Sequence, residues 1–145
     1  PVTMQPIDGN YPETKGLIPD PADSQAKWEL ALDKYTIGML KALREVGRYS
    51  KGGGVKKKDK VIVKIEGGTI SLYDSNVTAK VAFWENNPGV VVHLNVTYLI
   101  NTLEWLADEL GDRATIPVYY YGEYRPILLY HERAKALIMS VRVTD

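Results

Sequence analysis

The chain has 145 residues, 45% of them hydrophobic and 25% charged, with 18 basic residues against 18 acidic ones and no cysteine. That length supports one domain with a true hydrophobic core. The missing cysteines exclude a disulfide framework, a thiolate nucleophile and a cysteine zinc site. A net charge of zero argues against a whole-molecule polyanion binder. No apolar run is long enough for a membrane span or a secretory leader, so no membrane partner is expected.

Residues 1–21 are rich in proline and glycine and carry no sustained periodicity, so they read as an extended arm ahead of a domain over 22–145. Lys27–Leu32 alternates like a short strand. Asp33 then suits a helix N-cap, because its carboxylate can accept from the free amides of the first turn. The periodicity predicts a helix over Lys34–Arg48 with Tyr35, Met39, Leu40, Ala42, Leu43 and Val46 on its buried face. Ile37 falls on the wrong side of that face. Gly47 and the Gly52–Gly54 run are read as its stop. Three strands are expected next, over Val61–Ile65, Thr69–Tyr73 and Thr78–Trp84, joined by turns at Glu66–Gly68 and Asp74–Asn76.

After the turn signal Asn86-Asn87-Pro88-Gly89 the same grammar begins again. Val90–Leu94 reads as a strand and Asn95 as a cap. Val96–Leu110 reads as a helix buried through Leu99, Leu103, Leu106 and Leu110, and Gly111 as its end. Strands are expected over Ala114–Tyr121, Arg125–Tyr130 and Lys135–Val143. The two caps lie 62 positions apart. The expected fold class is therefore α+β: two strand–helix–three-strand halves with the helices on one side of the sheets.

Three strings carry a family resemblance. Ile7-Asp8-Gly9-Asn10-Tyr11-Pro12-Glu13-Thr14-Lys15-Gly16-Leu17-Ile18-Pro19, Leu94-Asn95-Val96-Thr97-Tyr98-Leu99 and Leu137-Ile138-Met139-Ser140-Val141-Arg142-Val143 occur in that order around the doubled unit. The whole resembles the C-terminal domain of the bacterial DNA polymerase III β sliding clamp, preceded by a remnant of the domain before it. The family has proline where Ser140 stands, arginine where Gly16 stands and Asp-Tyr where Glu13-Thr14 stands.

The resemblance implies a DNA-clamp-like domain that acts as a polymerase processivity factor, not as an enzyme. Such domains build a homo-oligomeric ring around duplex DNA, contacted without sequence recognition. They dock DNA polymerase, the clamp loader and other proteins through short peptides with a leucine and a terminal aromatic. It implies a cytoplasmic, nucleoid-associated protein with no cofactor. Residue by residue it places a peptide pocket at Pro12, Leu17, Asn95, Tyr98, Tyr124, Ile138, Met139, Val141 and Arg142. On the residues alone, Leu17, Ile138, Met139 and Val141 also suit ordinary core, and Asn95 a simple cap. A stand-alone clamp-like peptide-binding module with no DNA-encircling role is the alternative.

The charges are not evenly spread. Lys41, Arg44, Arg48, Lys51, Lys56, Lys57, Lys58 and Lys60 are opposed in their stretch by only Glu45 and Asp59. A helix stripe of cations followed by a glycine-bearing, mobile basic loop suits phosphate contact without base readout. Lys41, Arg44 and Arg48 are the candidate DNA contacts. The second helix carries Glu104, Asp108 and Glu109 instead. Catalysis is not expected. His93 and His131 lie on separate strands without metal-ligand spacing, no Gly-x-Ser-x-Gly elbow occurs, and Gly52–Gly54 lacks the Gly-Lys-Ser/Thr ending of a phosphate loop.

Overall fold

Both caps form as their chemistry requires. Asp33 Oδ1 accepts from the Thr36 amide at 2.7 Å, and Asn95 Oδ1 accepts from Thr97 at 3.0 Å and Tyr98 at 3.4 Å. The computed structural model describes residues 3–4, 18–49, 55–66, 69–73, 77–80, 83–85, 89–112 and 114–143. In chain order the elements are β1 (Thr3–Met4), β2 (Ala26–Ala31), α1 (Lys34–Arg48), β3 (Ile62–Glu66), β4 (Thr69–Leu72), β5 (Thr78–Lys80), β6 (Phe83–Glu85), β7 (Val91–Asn95), α2 (Val96–Leu110), β8 (Thr115–Tyr120), β9 (Ile127–Tyr130) and β10 (Ala134–Ile138). Each half is thus a strand, a capped helix and a run of further strands, four in the first half and three in the second, and the fold is α+β.

The halves exchange their first strands. One sheet runs β1-β10-β9-β8-β2-β6, the other β5-β4-β3-β7. β2 therefore pairs antiparallel with β8 of the second half, Trp28 opposite Val118 and Leu30 opposite Ile116. β7 pairs with β3 of the first half, Leu94 opposite Val63. The helices pack on each other, and their buried faces share one core with side chains of both sheets, among them Leu40, Leu99, Leu103, Ile70, Leu94, Ile116 and Ile138.

Four expectations are corrected. The buried face of α1 is Thr36, Ile37, Leu40, Leu43 and Gly47, whereas Tyr35 and Val46 are exposed at 64% and 47%. Ile37 is a core residue, and Gly47 lies inside the helix and does not stop it. The reason is steric: a Cβ on Gly47 would stand 2.6 Å from Val61 Cγ1 and 2.8 Å from Leu72 Cδ2, so only glycine lets the helix lie this close to the sheet. The strand expected over Thr78–Trp84 is two strands, β5 and β6, which belong to different sheets. The strand expected over Lys135–Val143 ends at Ile138, and the chain leaves the sheet there.

The basic loop is also less free than its glycines imply. Residues 51–54, Lys51 among them, lie outside the described residues. Beyond them, Lys56 N–H donates to Arg48 O at 2.8 Å, residues 58–60 form a 3-10 turn, and Thr97 Oγ donates to Lys58 O at 2.6 Å.

Candidate peptide-docking site

Successive residues of an extended strand face opposite sides of the sheet. On β10, Ala134 and Ile138 point to the main core, so Leu137 points to the outer face. There Leu137 lies directly across from Leu128, and Leu128 across from Tyr119. Both leucines are buried, under a cover of half-buried Ile18, Tyr119, Tyr121, Tyr130 and Met139. This is a second apolar cluster, separated from the main core by the sheet. Two cations edge it: Lys27 Nζ lies 5.9 Å from the Tyr119 ring and Lys135 Nζ 5.4 Å from the Tyr130 ring. Tyr121 places its hydroxyl in this cover, where the oxygen is buried and finds no hydrogen-bond partner among the described residues. Burial, reinforced by Tyr119, Asp20 and Asp23, pushes its phenol up to about 12.

Beyond β10 the tail 139–143 crosses from one sheet to the other. Ser140 Oγ donates to Arg125 O at 3.1 Å, and Val141 N–H donates to His93 O on β7 at 2.8 Å. The Arg142 guanidinium stacks 4.3 Å from the Tyr124 ring. Tyr124 holds φ +66 on a turn after Gly122, whose own φ is +134. Between tail, turn and β7 lies a cleft of about 430 Å³, lined by Val91, His93, Tyr120, Glu123, Tyr124 and Val143 among others.

The candidate pocket residues therefore sort into three places. Met139 joins the outer cluster. Tyr124 and Val141 line the cleft, and Arg142 stacks on Tyr124. Asn95, Tyr98 and Ile138 lie elsewhere: Asn95 is the half-buried cap of α2, Tyr98 packs half-buried on the main core, and Ile138 is 2% exposed within it. Ile138 and Met139 thus face opposite sides of their sheet. Pro12 and Leu17 lie outside the described residues. Leu137, Leu128, Tyr119 and Tyr121 were not singled out in the sequence. The signal for Leu137 was its alternation with Ile138, which puts one of the two on the outer face.

The three candidate DNA contacts all have partners within the protein. Lys41 Nζ pairs with Glu104 of α2 at 2.9 Å, with both side chains nearly half exposed. Arg44 Nη1 donates to Thr97 Oγ at 3.3 Å. Arg48 Nη1 pairs with Glu45 at 3.1 Å, and its Nε donates to Lys56 O at 3.0 Å. A groove of about 560 Å³ between the helices has Lys34 and Lys41 on one bank and Glu104, Asp108 and Asp112 on the other. His131 accepts the Arg133 amide on Nδ1 at 3.0 Å, and His93 meets Tyr73 edge-on with ring centroids 5.3 Å apart. Among the described residues no group of three His, Asp or Glu could hold a metal, and no helix is long and apolar enough to cross a membrane.

No protein-family model matches the chain, and no curated protein does. Solved structures do. The β subunit of DNA polymerase III from Borrelia burgdorferi, solved with a natural product, superimposes with a TM-score of 0.61 at 15% identity over 95% of this chain and 35% of that one. The β subunit from Streptococcus pyogenes gives 0.64 at 17% identity over 94% and 36%. The sliding clamp from Bacillus subtilis gives 0.61 at 21% identity over 95% and 35%. The chain has the fold of a sliding-clamp domain and spans about a third of the length of these proteins.

Proposed function

We propose that the chain is a sliding-clamp domain of the C-terminal type. It contributes one segment to a ring around duplex DNA and docks polymerase, clamp loader and other client proteins by a short apolar peptide. It works by topology and docking, with no bond made or broken, in the cytoplasm at the nucleoid. The observation that carries the reading is the outer cluster of Leu137, Leu128 and Met139, half-covered by tyrosines, on a clamp fold that extends over nearly the whole chain.

The chemistry fits an apolar client. Met139 is an adaptable thioether floor, and tyrosines give a large, partly polar wall. Burying a leucine and an aromatic side chain contributes about 1.5–3 kcal/mol each before ordering costs, which suits exchangeable clients. Isothermal titration of a synthetic leucine–aromatic peptide tests it. Met139→Ala should weaken binding at least tenfold while the circular dichroism spectrum stays the same. Equal affinity in variant and parent would rule the shelf out.

One observation favours the second reading, a docking module with no DNA-encircling role. The helix layer joins a basic α1 to an acidic α2, and Lys41 is already paired with Glu104.

A further inference from the structure

The two halves finish differently on the strands they exchange. In the first half, the chain leaves β5 and adds β6 along the outer edge of β2, with Leu30 opposite Phe83 and Trp28 opposite Glu85. In the second half, the tail leaves β10 and reaches the outer edge of β7, where Val141 N–H donates to His93 O. By the bonds Leu32 N–H to Ala114 O and Val96 N–H to Val61 O, Leu94 and Val92 stand on β7 where Leu30 and Trp28 stand on β2, and His93 and Val91 stand where Glu29 and Lys27 do. The edge next to Val91 is where the cleft of about 430 Å³ opens.

The register shows what that edge offers. In an antiparallel ladder alternate residues turn their N–H and C=O toward the same neighbour. Val96 N–H donates to Val61 O on the β3 side, so Leu94 and Val92 also face β3. His93 faces away, as its bond to Val141 requires, and Val91 does too. Val91 is 37% exposed, and no described residue bonds its main chain on that side. An open strand edge beside a cleft is a template for an added strand.

We propose that the outer edge of β7 at Val91 takes a strand from the docked client: residues flanking its apolar anchor run extended through the cleft and hydrogen-bond Val91, as β6 does along β2. The inference rests on the docking reading above. It names the conformation of the partner and the backbone groups that hold it. The tail connects the two places, since Val141 at the edge follows Met139 on the shelf by two residues, about 7 Å of extended chain. Side chains of the added strand that point inward meet Val92, Tyr120 and Val141. The contact is main-chain, so the flanking client sequence is free to vary.

The test is an N-methyl scan of the synthetic leucine–aromatic peptide, extended by four residues on each side, titrated against the full chain. Only alternate amides of an added strand face β7. Val91 offers one outward C=O and one outward N–H, so binding should fall at least tenfold on methylation at one flanking position and stay unchanged at its neighbours. Val91→Pro, which removes an N–H directed away from β3, should weaken the parent peptide. If the parent peptide binds and no flanking methyl matters, the added strand is refuted and docking stands. If the parent peptide does not bind, the docking reading fails and takes this one with it.

Discussion

Tyr121 gathers several forces on one oxygen. Its ring helps to cover Leu128 and Leu137, while its backbone carbonyl accepts from Gln25 Nε2 at 3.1 Å. The hydroxyl is held away from water without a partner, so the neutral phenol is favoured and the pKa rises to about 12. The sign of the pH effect follows. An unfolded tyrosine ionises near 10. The folded state keeps its proton to about 12, so the contribution of this group is intact below pH 10 and is lost as pH rises from 10 toward 12. Tyr121 should ionise late in an alkaline titration followed by the phenolate absorbance. Tyr121→Phe should delete that late step and flatten the alkaline loss of stability. A titration in which the variant and the parent coincide near pH 12 would show that the hydroxyl is solvated. Removing an unpartnered polar atom from an apolar shelf should also not weaken the client peptide.

At the scale of elements, α1 shows where sequence reading succeeds and where it stops. Its ends are local chemistry, and both helices run over the residues that their caps and periodicity indicate. Its buried face is not local. Tyr35, Met39, Ala42 and Val46 make a regular apolar stripe, yet the helix turns Thr36 and Gly47 inward, because proximity to Val61 and Leu72 outweighs hydropathy. Two glycines of this helix should accordingly respond in opposite ways. At Gly38 an added Cβ meets nothing within 4 Å. Gly38→Ala should stabilise by about 0.5–1 kcal/mol through the lower entropy of the unfolded chain. Gly47→Ala forces a methyl against two core side chains and should cost about 1–3 kcal/mol. Urea denaturation measures both, and a stabilising Gly47→Ala would show that α1 can lift from its sheet at little cost. The candidate docking residues divide in the same way. The Leu137–Ile138–Met139 string marks a strand, but which of its side chains reaches the outer face depends on which side the helices cover. That is a tertiary fact, and it moves Ile138 into the core and brings Leu137 and Tyr121 to the shelf. The same holds for the tail, whose crossing to β7 depends on a sheet edge far away in sequence.

For the whole molecule, the helix layer and the strand exchange make separate demands. The layer holds few free cations, since Lys41 meets Glu104, Arg44 meets Thr97 and Arg48 meets Glu45. An exposed pair such as Lys41–Glu104 contributes about 0–1 kcal/mol, little enough for a phosphate to displace the carboxylate. If the layer faces DNA, Glu104→Gln should strengthen association with duplex DNA by freeing Lys41. Lys41→Gln should then reduce the log–log salt slope by about 0.9. Slopes that are the same in both variants and the parent would support the module without a DNA role. The strand exchange governs folding. β2 is hydrogen-bonded along its length to β8, and β7 to β3, so each sheet needs both halves. A first half alone leaves β2 with β6 as its one neighbour and β3 with an open edge, and it exposes the inward faces of Leu40, Leu43 and Ile70, which are buried in the shared core. A second half alone parts β7 from β3. The two fragments 1–87 and 88–145 should each be largely unfolded by circular dichroism. Mixed in equal amounts they should recover the strand and helix signal of the intact chain, with a midpoint that rises with concentration because association replaces the covalent link. A fragment that folds cooperatively by itself would mean that its first strand can close back on its own sheet, and that the exchange is a preference of the joined chain and not a requirement of the fold.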